Sequence, residues 1–341
     1  GRVCDGGLFV YAGRPRTDEF IKTADHLDEA RLTLGKNLHL LSGQFYLCLQ
    51  TGLLSWLSEV NPDVLILEAN PRYLSTRAAI RYMHQKQYPV IGWGLGAPPI
   101  SGALAPLRNF FRKQFIHQFE AMVTYSQKGA EEYAALGLPP EKIFVAVNAV
   151  TPAPTEPIPS RPDPDQLESA QILFVGRLQA RKNIDILIRA CANLPEGLQP
   201  NLVIVGEGPA RVGLEDLAGQ IYPKTIFAGA LYGEALVENF KKADLFVLPG
   251  TGGLAIQQAM RYGLPIIAAQ ADGTQVDLVR PANGWIIPTN DIPALEAVLI
   301  EALADFQKLR SMGTESYRIV AEEINLEQMV ATFSEALHRS T

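Results

Sequence analysis

Three loops that follow apolar runs in the second half of the sequence carry residue types that bind phosphate. In the first, "LFVGRLQARKN", Gly176 is followed by Arg177, and Lys182 stands at the opening of an amphipathic segment. Cations at a strand end and at a helix N-terminus suit a diphosphate, because their charge adds to the helix dipole. A solvated basic loop is the alternative interpretation.

The second loop, "VGEGP", places Glu207 and Gly208 after another apolar run. A glycine turn of this kind lets a ligand approach the backbone closely, although such turns are common. The full Gly-x-Gly-x-x-Gly fingerprint of dinucleotide sites is absent, which argues against NAD. No bound cofactor is predicted.

The third loop, "LPGTGGLAIQQAM", has a glycine-rich turn made of Gly250, Thr251, Gly252 and Gly253. This turn should expose backbone N–H groups ahead of a helix that begins near Leu254, forming an anion site without side chains. A tight packing turn is the alternative. Three loops of this kind in one domain together predict a phosphate-bearing ligand.

Polar and aromatic residues follow two apolar runs in the first half. Glu68, Asn70 and Arg72 come after "DVLIL", and Trp93 ends the next run. An indole offers an apolar face to a pyranose and the polar trio can bind its hydroxyls, so a sugar site is predicted here. Alternatively, Glu68 and Arg72 form a local ion pair and Trp93 belongs to the core.

The stretch 105–119 interleaves phenylalanines with cations. A basic, aromatic helix can dock on an anionic membrane surface, which would bring the protein to a lipid-linked acceptor. The alternative, which we favour at this point, is that the phenylalanines pack on the first sheet and leave the cations solvated. Peripheral contact with the inner face of a membrane is therefore kept as a second hypothesis.

These residues must be positioned by two sets of buried strands. Before residue 151 the apolar runs are "GLFVYAG", "NLHLLSG", "DVLILEAN", "PVIGWG", "AMVTYS" and "IFVAVNAV"; after residue 170 they are "ILFVG", "NLVIVG", "TIFAG", "DLFVLPG", "PIIAA" and "GWIIP". Continuous apolar strands between helical patterns are typical of parallel α/β sheets covered on both faces. We predict two Rossmann-like domains that face a cleft.

The proline-rich segment 151–170 separates the two sets and is predicted to be a surface linker. The predicted organisation is a first Rossmann-like domain over 1–150, this linker, a second Rossmann-like domain over 171–320, and a C-terminal helix over 321–341. That helix carries an apolar stripe and either packs on its own domain or crosses back to the first.

Composition excludes several other classes of protein. The 341 residues carry a net charge of -6, which does not favour nucleic-acid binding. Three cysteines without paired spacing fit a reducing cytoplasm, and five scattered histidines predict no zinc site. No apolar run approaches the roughly 20 residues that span a bilayer. The "DPD" at 163–165 lies in the proline-rich segment rather than at a strand end, so no divalent metal is predicted.

The motifs "GRL" with Arg181, Lys182 and Asn183, then "VGEGP", "FAGALYGEALVENFKKADLFVLPG" and "GLAIQQAMRYGLPIIAA" resemble, in order and spacing, the family 4 retaining glycosyltransferases of GT-B fold. The similarity covers about residues 60–340 and is strongest in the second half. It implies transfer of a sugar from a nucleotide donor, most often UDP-linked, to a saccharide or lipid-linked acceptor. It further implies that the domain over 171–320 binds the nucleotide sugar and that the domain over 1–150 binds the acceptor, through Glu68, Asn70, Arg72 and Trp93.

Residue by residue, the resemblance implies that Arg177 and Lys182 bind the donor pyrophosphate. It implies that Glu207 and Gly208 line the donor site. The nucleobase would lie against Ala230, Leu231 and Tyr232, largely through main-chain contacts.

Two departures from the family pattern affect the donor sugar. The family has two glutamates where this chain has Gly250 and Gln258, and many relatives have a histidine where it has Leu95. The Gln258 amide can still bind a ribose hydroxyl, whereas Gly250 cannot replace a carboxylate. In the family's proposed mechanism the leaving phosphate takes the acceptor proton, so activity is expected to survive. A non-catalytic nucleotide-sugar-binding relative or another GT-B enzyme, such as an epimerase, is the alternative.

Overall fold

The computed structural model describes residues 6–14, 24–41, 46–162, 169–271 and 273–340. The chain divides into two compact units. Unit 1 is Gly1–Ala146 together with Val330–Thr341, and unit 2 is Val147–Met329.

Unit 1 contains two sheets. Its strands are β1 (Phe9–Gly13), β2 (Arg31–Leu40), β3 (Leu47–Thr51), β4 (Leu65–Glu68), β5 (Val90–Gly94), β6 (Ala121–Thr124) and β7 (Ile143–Val145). Its helices are α1 (Leu53–Val60), α2 (Leu74–Gln85), α3 (Ala105–Ile116) and α4 (Gln127–Ala135). The strands β4-β5-β6-β7 form a parallel sheet in that order, and the carboxyl ends of β4, β5 and β6 therefore lie side by side.

The smaller sheet, β1-β2-β3, differs from the prediction. The run "NLHLLSG" was expected to be one strand of a parallel sheet covered on both faces, but β2 alternates between exposed and half-buried residues and pairs antiparallel with β3. The physical reason is the pattern "RLTLGKNLHL", in which polar residues alternate with leucines and so give the strand one wet face. Strand β3 has no counterpart in the predicted series.

Unit 2 is built on a six-stranded parallel sheet. Its strands are β8 (Gln171–Val175), β9 (Asn201–Val205), β10 (Thr225–Gly229), β11 (Leu245–Leu248), β12 (Ile266–Ala269) and β13 (Gly284–Ile287). Its helices are α5 (Ile184–Asn193), α6 (Arg211–Ile221), α7 (Gly233–Lys242), α8 (Leu254–Arg261), α9 (Thr274–Leu278), α10 (Ile292–Leu303) and α11 (Phe306–Glu322). The core is formed by the fully buried strands and the helix faces that cover them.

The strand order of this sheet is β10-β9-β8-β11-β12-β13. From β8 the chain adds β9 and β10 on one side of the sheet. It then crosses to the other side of β8, where it adds β11, β12 and β13. Neighbouring β8 and β11 form the point at which the order reverses, and loops that leave their carboxyl ends flank a crevice.

Over its described part, residues 151–162, the proline-rich segment has no helix or strand and is exposed or half-buried apart from Thr151, and it is also bonded to unit 2. These residues belong to unit 2. The Arg161 guanidinium donates to the carbonyl oxygens of Ala243 (2.7 Å) and Tyr262 (2.8 Å), and Tyr317 donates to Glu156 O (2.7 Å). Prolines remove donors from a segment but leave its carbonyls and side chains able to bond. Burial lowers the pKa of Arg161 to about 10, and nearby Arg310 adds to the shift.

The last helix, α12 (Leu326–Ser340), begins in unit 2 and ends in unit 1. Within unit 1 its Phe333 ring lies 5.4 Å from the Trp93 ring, and Arg339 lies over the ring of Phe144.

Candidate functional site

The loops predicted to bind phosphate meet at the carboxyl edge of the sheet in unit 2. Residues 176–183 leave β8 and residues 249–253 leave β11, which are neighbouring strands at the point of reversal. This is the position at which doubly wound sheets bind their ligands. Residues 206–210 leave β9 on the other side of β8.

Several hydrogen bonds join the first loop to the third. The Lys182 ammonium donates to Thr251 O, the Arg181 guanidinium donates to Thr251 Oγ1 (2.9 Å), and Thr251 N donates to Arg181 O (3.1 Å). Asn183, which adopts positive φ ahead of α5, donates to Pro249 O at 3.3 Å. The structure thus places two cations against the glycine-rich turn, and Arg177 stands half-buried at the end of β8.

The glycine-rich turn differs from the predicted row of exposed N–H groups. The Thr251 amide is already committed to Arg181 O, and Gly250 is buried. A Cβ at Gly250 would lie 2.6 Å from the Lys182 backbone and would overlap Arg181 O. Gly250 therefore supports the neighbouring loop rather than facing a ligand, whereas Gly252 and Gly253 are half-buried ahead of α8.

The turn is also held from the other side by a residue that the sequence did not single out. Gln275, fully buried in α9, donates through Nε2 to Gly252 O at 2.5 Å. No sequence signal marked it, because a buried glutamine cannot be told from an exposed one by pattern alone.

The "GEGP" loop is explained by packing between loops. A Cβ at Gly206 would overlap Gly176 O, and one at Gly208 would overlap Leu178 O. Leu178 N donates to Glu207 O at 2.9 Å. The Gly176–Leu178 backbone thus approaches these two glycines closely, and the prediction that the loop lines a ligand site stays a prediction.

Glu207 has a partner of its own. Its carboxylate accepts from Arg211, which also bonds Glu215 at 2.7 Å, and both acids raise the pKa of Arg211. The side chain remains about half exposed at the sheet edge.

The predicted nucleobase segment follows β10 at the same edge of the sheet. Ala230 is exposed, Leu231 packs against the core of unit 2, and the Tyr232 side chain is 81% exposed.

The two adjacent glutamines of helix α8 differ in burial. Leu254 is exposed at its start and Gln258 is half-buried. Gln257 is fully buried, where its Oε1 accepts from Val150 N (2.6 Å) and its Nε2 donates to Ile324 O (2.8 Å).

A cavity of about 320 Å³ opens beside the first two loops. It lies between the starts of α5 and α6 and is lined by Gln179, Ala180, Ile184, Asp185, Pro209, Ala210, Gly213, Leu214 and Leu217. The first loop contributes Gln179 and Ala180 to it, whereas Arg177 and Lys182 do not line it.

In unit 1, the predicted acceptor residues lie at the carboxyl ends of β4 and β5. Glu68 accepts from Asn70 Nδ2 (3.2 Å), and Asn70 Oδ1 accepts from Arg72 N (3.1 Å). Among the described residues no ion pair joins Glu68 to Arg72, so that alternative is not what the structure shows. Leu95, which stands where relatives have histidine, is 60% exposed.

Trp93 is packed by two rings. Its ring centroid lies 5.1 Å from that of Tyr125 and 5.4 Å from that of Phe333, while its Nε1 is buried without a hydrogen-bond partner. Burial, with a further contribution from Glu68, raises the pKa of Tyr125 to about 12. Tyr125 was not predicted, because it follows β6 and only the fold brings it to Trp93.

Helix α3 exposes the phenylalanines that were expected to pack. Only Phe115 and Ile116 are buried, whereas Leu107, Phe110 and Phe111 are 53%, 54% and 51% exposed. Leu104, just before the helix, is 66% exposed. We call these four apolar residues the α3 surface. The prediction that the phenylalanines of 105–119 are packed was wrong for Phe110 and Phe111, whereas Phe115 and Phe119 are buried.

The described residues contain neither a candidate membrane span nor a candidate metal cluster. Over the described ranges, no helix combines the length and apolarity needed to cross a bilayer. Nor do the His, Cys, Asp and Glu side chains of those ranges form a group of three that could hold a metal ion. The Asp163–Asp165 stretch lies outside the described residues.

The second unit is similar to a known protein family. Residues 160–319 match the family model "Glycosyl transferases group 1". An uncharacterised glycosyltransferase of Methanocaldococcus jannaschii is 31% identical over 194 residues, which are 52% of this chain and 50% of that protein. A GDP-mannose-dependent alpha-mannosyltransferase of Mycolicibacterium smegmatis is 34% identical over 161 residues, 44% of this chain and 40% of that protein. The chain spans about half the length of these curated relatives or less.

A solved structure is similar over nearly the whole chain. Anabaena HepE in complex with UDP superposes with a TM-score of 0.64 at 15% identity, covering 97% of this chain and 99% of that one. At that identity the likeness shows the fold, which is GT-B.

Proposed function

On the premise that the second unit belongs to the group 1 glycosyl transferases and that the chain has the GT-B fold, we propose that this protein transfers a sugar from a nucleotide-sugar donor to a saccharide or lipid-linked acceptor, with retention of configuration. The observation that carries the proposal is the joining of the Lys182 loop to the glycine-rich turn at the point of strand reversal.

The proposed chemistry is electrostatic support for a departing diphosphate. Lys182 and Arg177 supply positive charge, and the start of α8 adds its dipole. Gln258 holds the ribose, and Tyr232 covers the nucleobase. Glu68, Asn70 and Arg72 bind acceptor hydroxyls, with Trp93 and Tyr125 behind them.

Nucleotide titration by calorimetry tests the donor site. We expect UDP to bind more tightly than ADP. GDP is the competing nucleotide, because a curated relative is GDP-mannose-dependent. Arg177→Ala and Lys182→Gln should each weaken binding about tenfold or more, since a charge-assisted contact to phosphate is lost. Arg189→Ala, an exposed cation later in α5, is the matched control. Equal affinity in all four proteins would contradict the assignment.

A non-catalytic nucleotide-sugar-binding protein is the second candidate, favoured by the buried Gly250 at the position of a family glutamate. Release of free sugar from the best-binding nucleotide sugar separates the two. Slow release, faster with a saccharide acceptor, supports transfer. Tight binding without any release, across acceptor mixtures, supports the second candidate.

The α3 surface provides a route to a lipid-linked acceptor. Its apolar side chains neighbour the exposed cations Arg108 and Lys113, an arrangement suited to the boundary of an anionic membrane. We expect co-sedimentation with vesicles that contain an anionic lipid, reduced severalfold by Phe110→Ser with Phe111→Ser. Ile226→Ser, which removes an apolar side chain 56% exposed in unit 2, should have no effect. Equal loss in both would contradict the proposal.

A further inference from the structure

Unit 2 contains a second cavity, away from the loops proposed to bind the donor. Its volume is about 300 Å³, and its walls come from the proline-rich segment, the turn after α8 and helix α11. Arg161 and Arg310 line it together with Thr314. Because Arg161 bonds to the carbonyl of Ala243, which comes just before β11, the cavity lies at the amino edge of the sheet. The phosphate-binding loops leave the opposite, carboxyl edge.

The Arg161 guanidinium uses only part of its hydrogen-bonding capacity. Nε donates to Ala243 O, and Nη2 donates to Tyr262 O (2.8 Å) and to Phe240 O (3.4 Å). Over the described residues, Nη1 has no hydrogen-bond partner, and it is not among the fully buried polar atoms that lack one. Since Arg161 lines the cavity, we infer that Nη1 is the part of the guanidinium that is open to it.

The cavity carries an excess of positive charge. The partners of Arg161 are all neutral carbonyl oxygens, whereas Arg310 donates to Asp244 Oδ1 at 2.7 Å and the Asp244 side chain is 4% exposed. Two guanidiniums and this one carboxylate leave a net charge of +1 among these described groups. The lowered pKa of Arg161 agrees with a charge that is not fully compensated. A counter-ion that entered the cavity would therefore be stabilised.

The rest of the lining is largely apolar and closely packed. Ile158, Pro159 and Pro162 form the side made by the proline-rich segment. A Cβ at Gly263 would lie 2.6 Å from Ile158 Cγ2, so the turn after α8 is in close contact with that segment. A guanidinium fork suits the two oxygens of a carboxylate, and a volume of this size lies at the lower end of small-molecule sites.

We propose that this cavity binds a small organic carboxylate, whose oxygens accept hydrogen bonds from Arg161 and Arg310 while its apolar part lies against the proline-rich segment. A single negative charge matches the net charge of the described groups. The bound carboxylate would fasten the proline-rich segment to α11. The proposal is independent of sugar transfer, because none of these residues belongs to the loops proposed to bind the donor.

The first test is calorimetric titration with benzoate at constant ionic strength, with benzamide as the uncharged analogue of the same shape. We expect saturable binding of benzoate, at least about tenfold tighter than that of benzamide, because only the carboxylate makes charge-assisted hydrogen bonds. No saturable binding of benzoate, or equal binding of benzamide, would overturn the proposal.

The variant Lys182→Gln separates this cavity from the donor loops, which also carry cations. Its benzoate affinity should stay within threefold of that of the unaltered protein. A loss of tenfold or more in this variant would place benzoate at the donor loops and overturn the proposal.

The second test compares Thr314→Glu with Thr314→Gln. Thr314 is exposed and lies one turn after Arg310 on α11, where its hydroxyl donates to Arg310 O at 3.0 Å. The glutamate supplies a tethered carboxylate at the cavity, whereas the glutamine has the same size without the charge. Relative to Thr314→Gln, we expect Thr314→Glu to bind benzoate about tenfold more weakly and to melt about 2 °C higher or more. Equal benzoate affinity in the two variants, or a glutamate variant that melts no higher than the glutamine variant, would overturn the proposal.

Discussion

The carboxyl edges of the two large sheets are built by different means. In unit 2 the first two loops are joined through backbone atoms, from Leu178 N to Glu207 O and from Ala210 N to Leu178 O. In unit 1 the residues predicted to bind the acceptor are joined through side chains, with Glu68 bonded to Asn70 and Trp93 packed on Tyr125. Where loops are joined through their backbones, glycines are needed at the close approaches, and few substitutions are tolerated at those glycines. Where the residues are joined through side chains, substitutions can change which ligand binds at little cost in stability.

The largest expected effect breaks the backbone-built edge. Gly206 has φ +144°, and a Cβ there would overlap Gly176 O. We expect Gly206→Ala to lower the free energy of unfolding by about 2–4 kcal/mol, because both backbone strain and overlap must be relieved. Thermal unfolding followed by circular dichroism measures it.

Its control is Gly213→Ala on α6, where a Cβ would meet nothing within 4 Å. Alanine in a helix interior should stabilise by about 0.5–1 kcal/mol. Equal melting temperatures for the two variants would contradict the backbone-built description.

The second prediction restores the carboxylate at the family position. In Gly250→Glu the new side chain meets the backbone of residues 181–182. We expect a loss of about 1–3 kcal/mol from overpacking, together with weaker UDP binding because the Lys182 loop is displaced. Faster sugar release than in the unaltered protein would show that the turn can open for a carboxylate, and would reverse this interpretation.

The third prediction concerns the side-chain-built edge at high pH. The raised pKa of Tyr125, about 12, means that the folded protein holds this proton more tightly than the unfolded chain. Its contribution to stability is complete below pH 10 and is lost as the pH rises toward 12. Tyr125→Phe should therefore reduce the fall in melting temperature between pH 9 and pH 11. Tyr232→Phe, at a ring 81% exposed, should leave that fall unchanged.

The smallest effect on stability is expected at Glu68. Because its side chain is exposed, Glu68→Gln should change the free energy of unfolding by no more than about 0.5 kcal/mol. The acceptor KM should nonetheless rise, while affinity for UDP stays constant. A change in UDP affinity with no change in acceptor KM would contradict the assignment of Glu68 to the acceptor.

The same contrast explains what the sequence could predict. Apolar runs located the strands of unit 2, since "ILFVG" and "DLFVLPG" are continuous and end in glycine. Paired loops at β8 and β11 followed from that order, because parallel strands bring their carboxyl ends to one edge. The antiparallel β3 was missed, as its run "LCLQT" is short and mixed.

Contacts between distant segments were beyond pattern analysis. Gln257 and Gln258 are adjacent and chemically identical, yet only the packed helix shows which one is buried. Tyr125 and Gln275 likewise acquire their partners through tertiary packing. The hydrogen bonds of Arg161 in the predicted linker were missed for the same reason, since composition does not show which acceptors a side chain meets.

The bonding of Arg161 has a consequence for dividing this protein into fragments. A fragment cut after the proline-rich segment, at residue 171, would omit the guanidinium that bonds the carbonyls following α7 and α8. Those acceptors would be left to solvent at two helix ends. The natural place to begin a separately expressed second half is therefore near Val147, and a fusion or circular permutation should leave residues 150–161 attached to it.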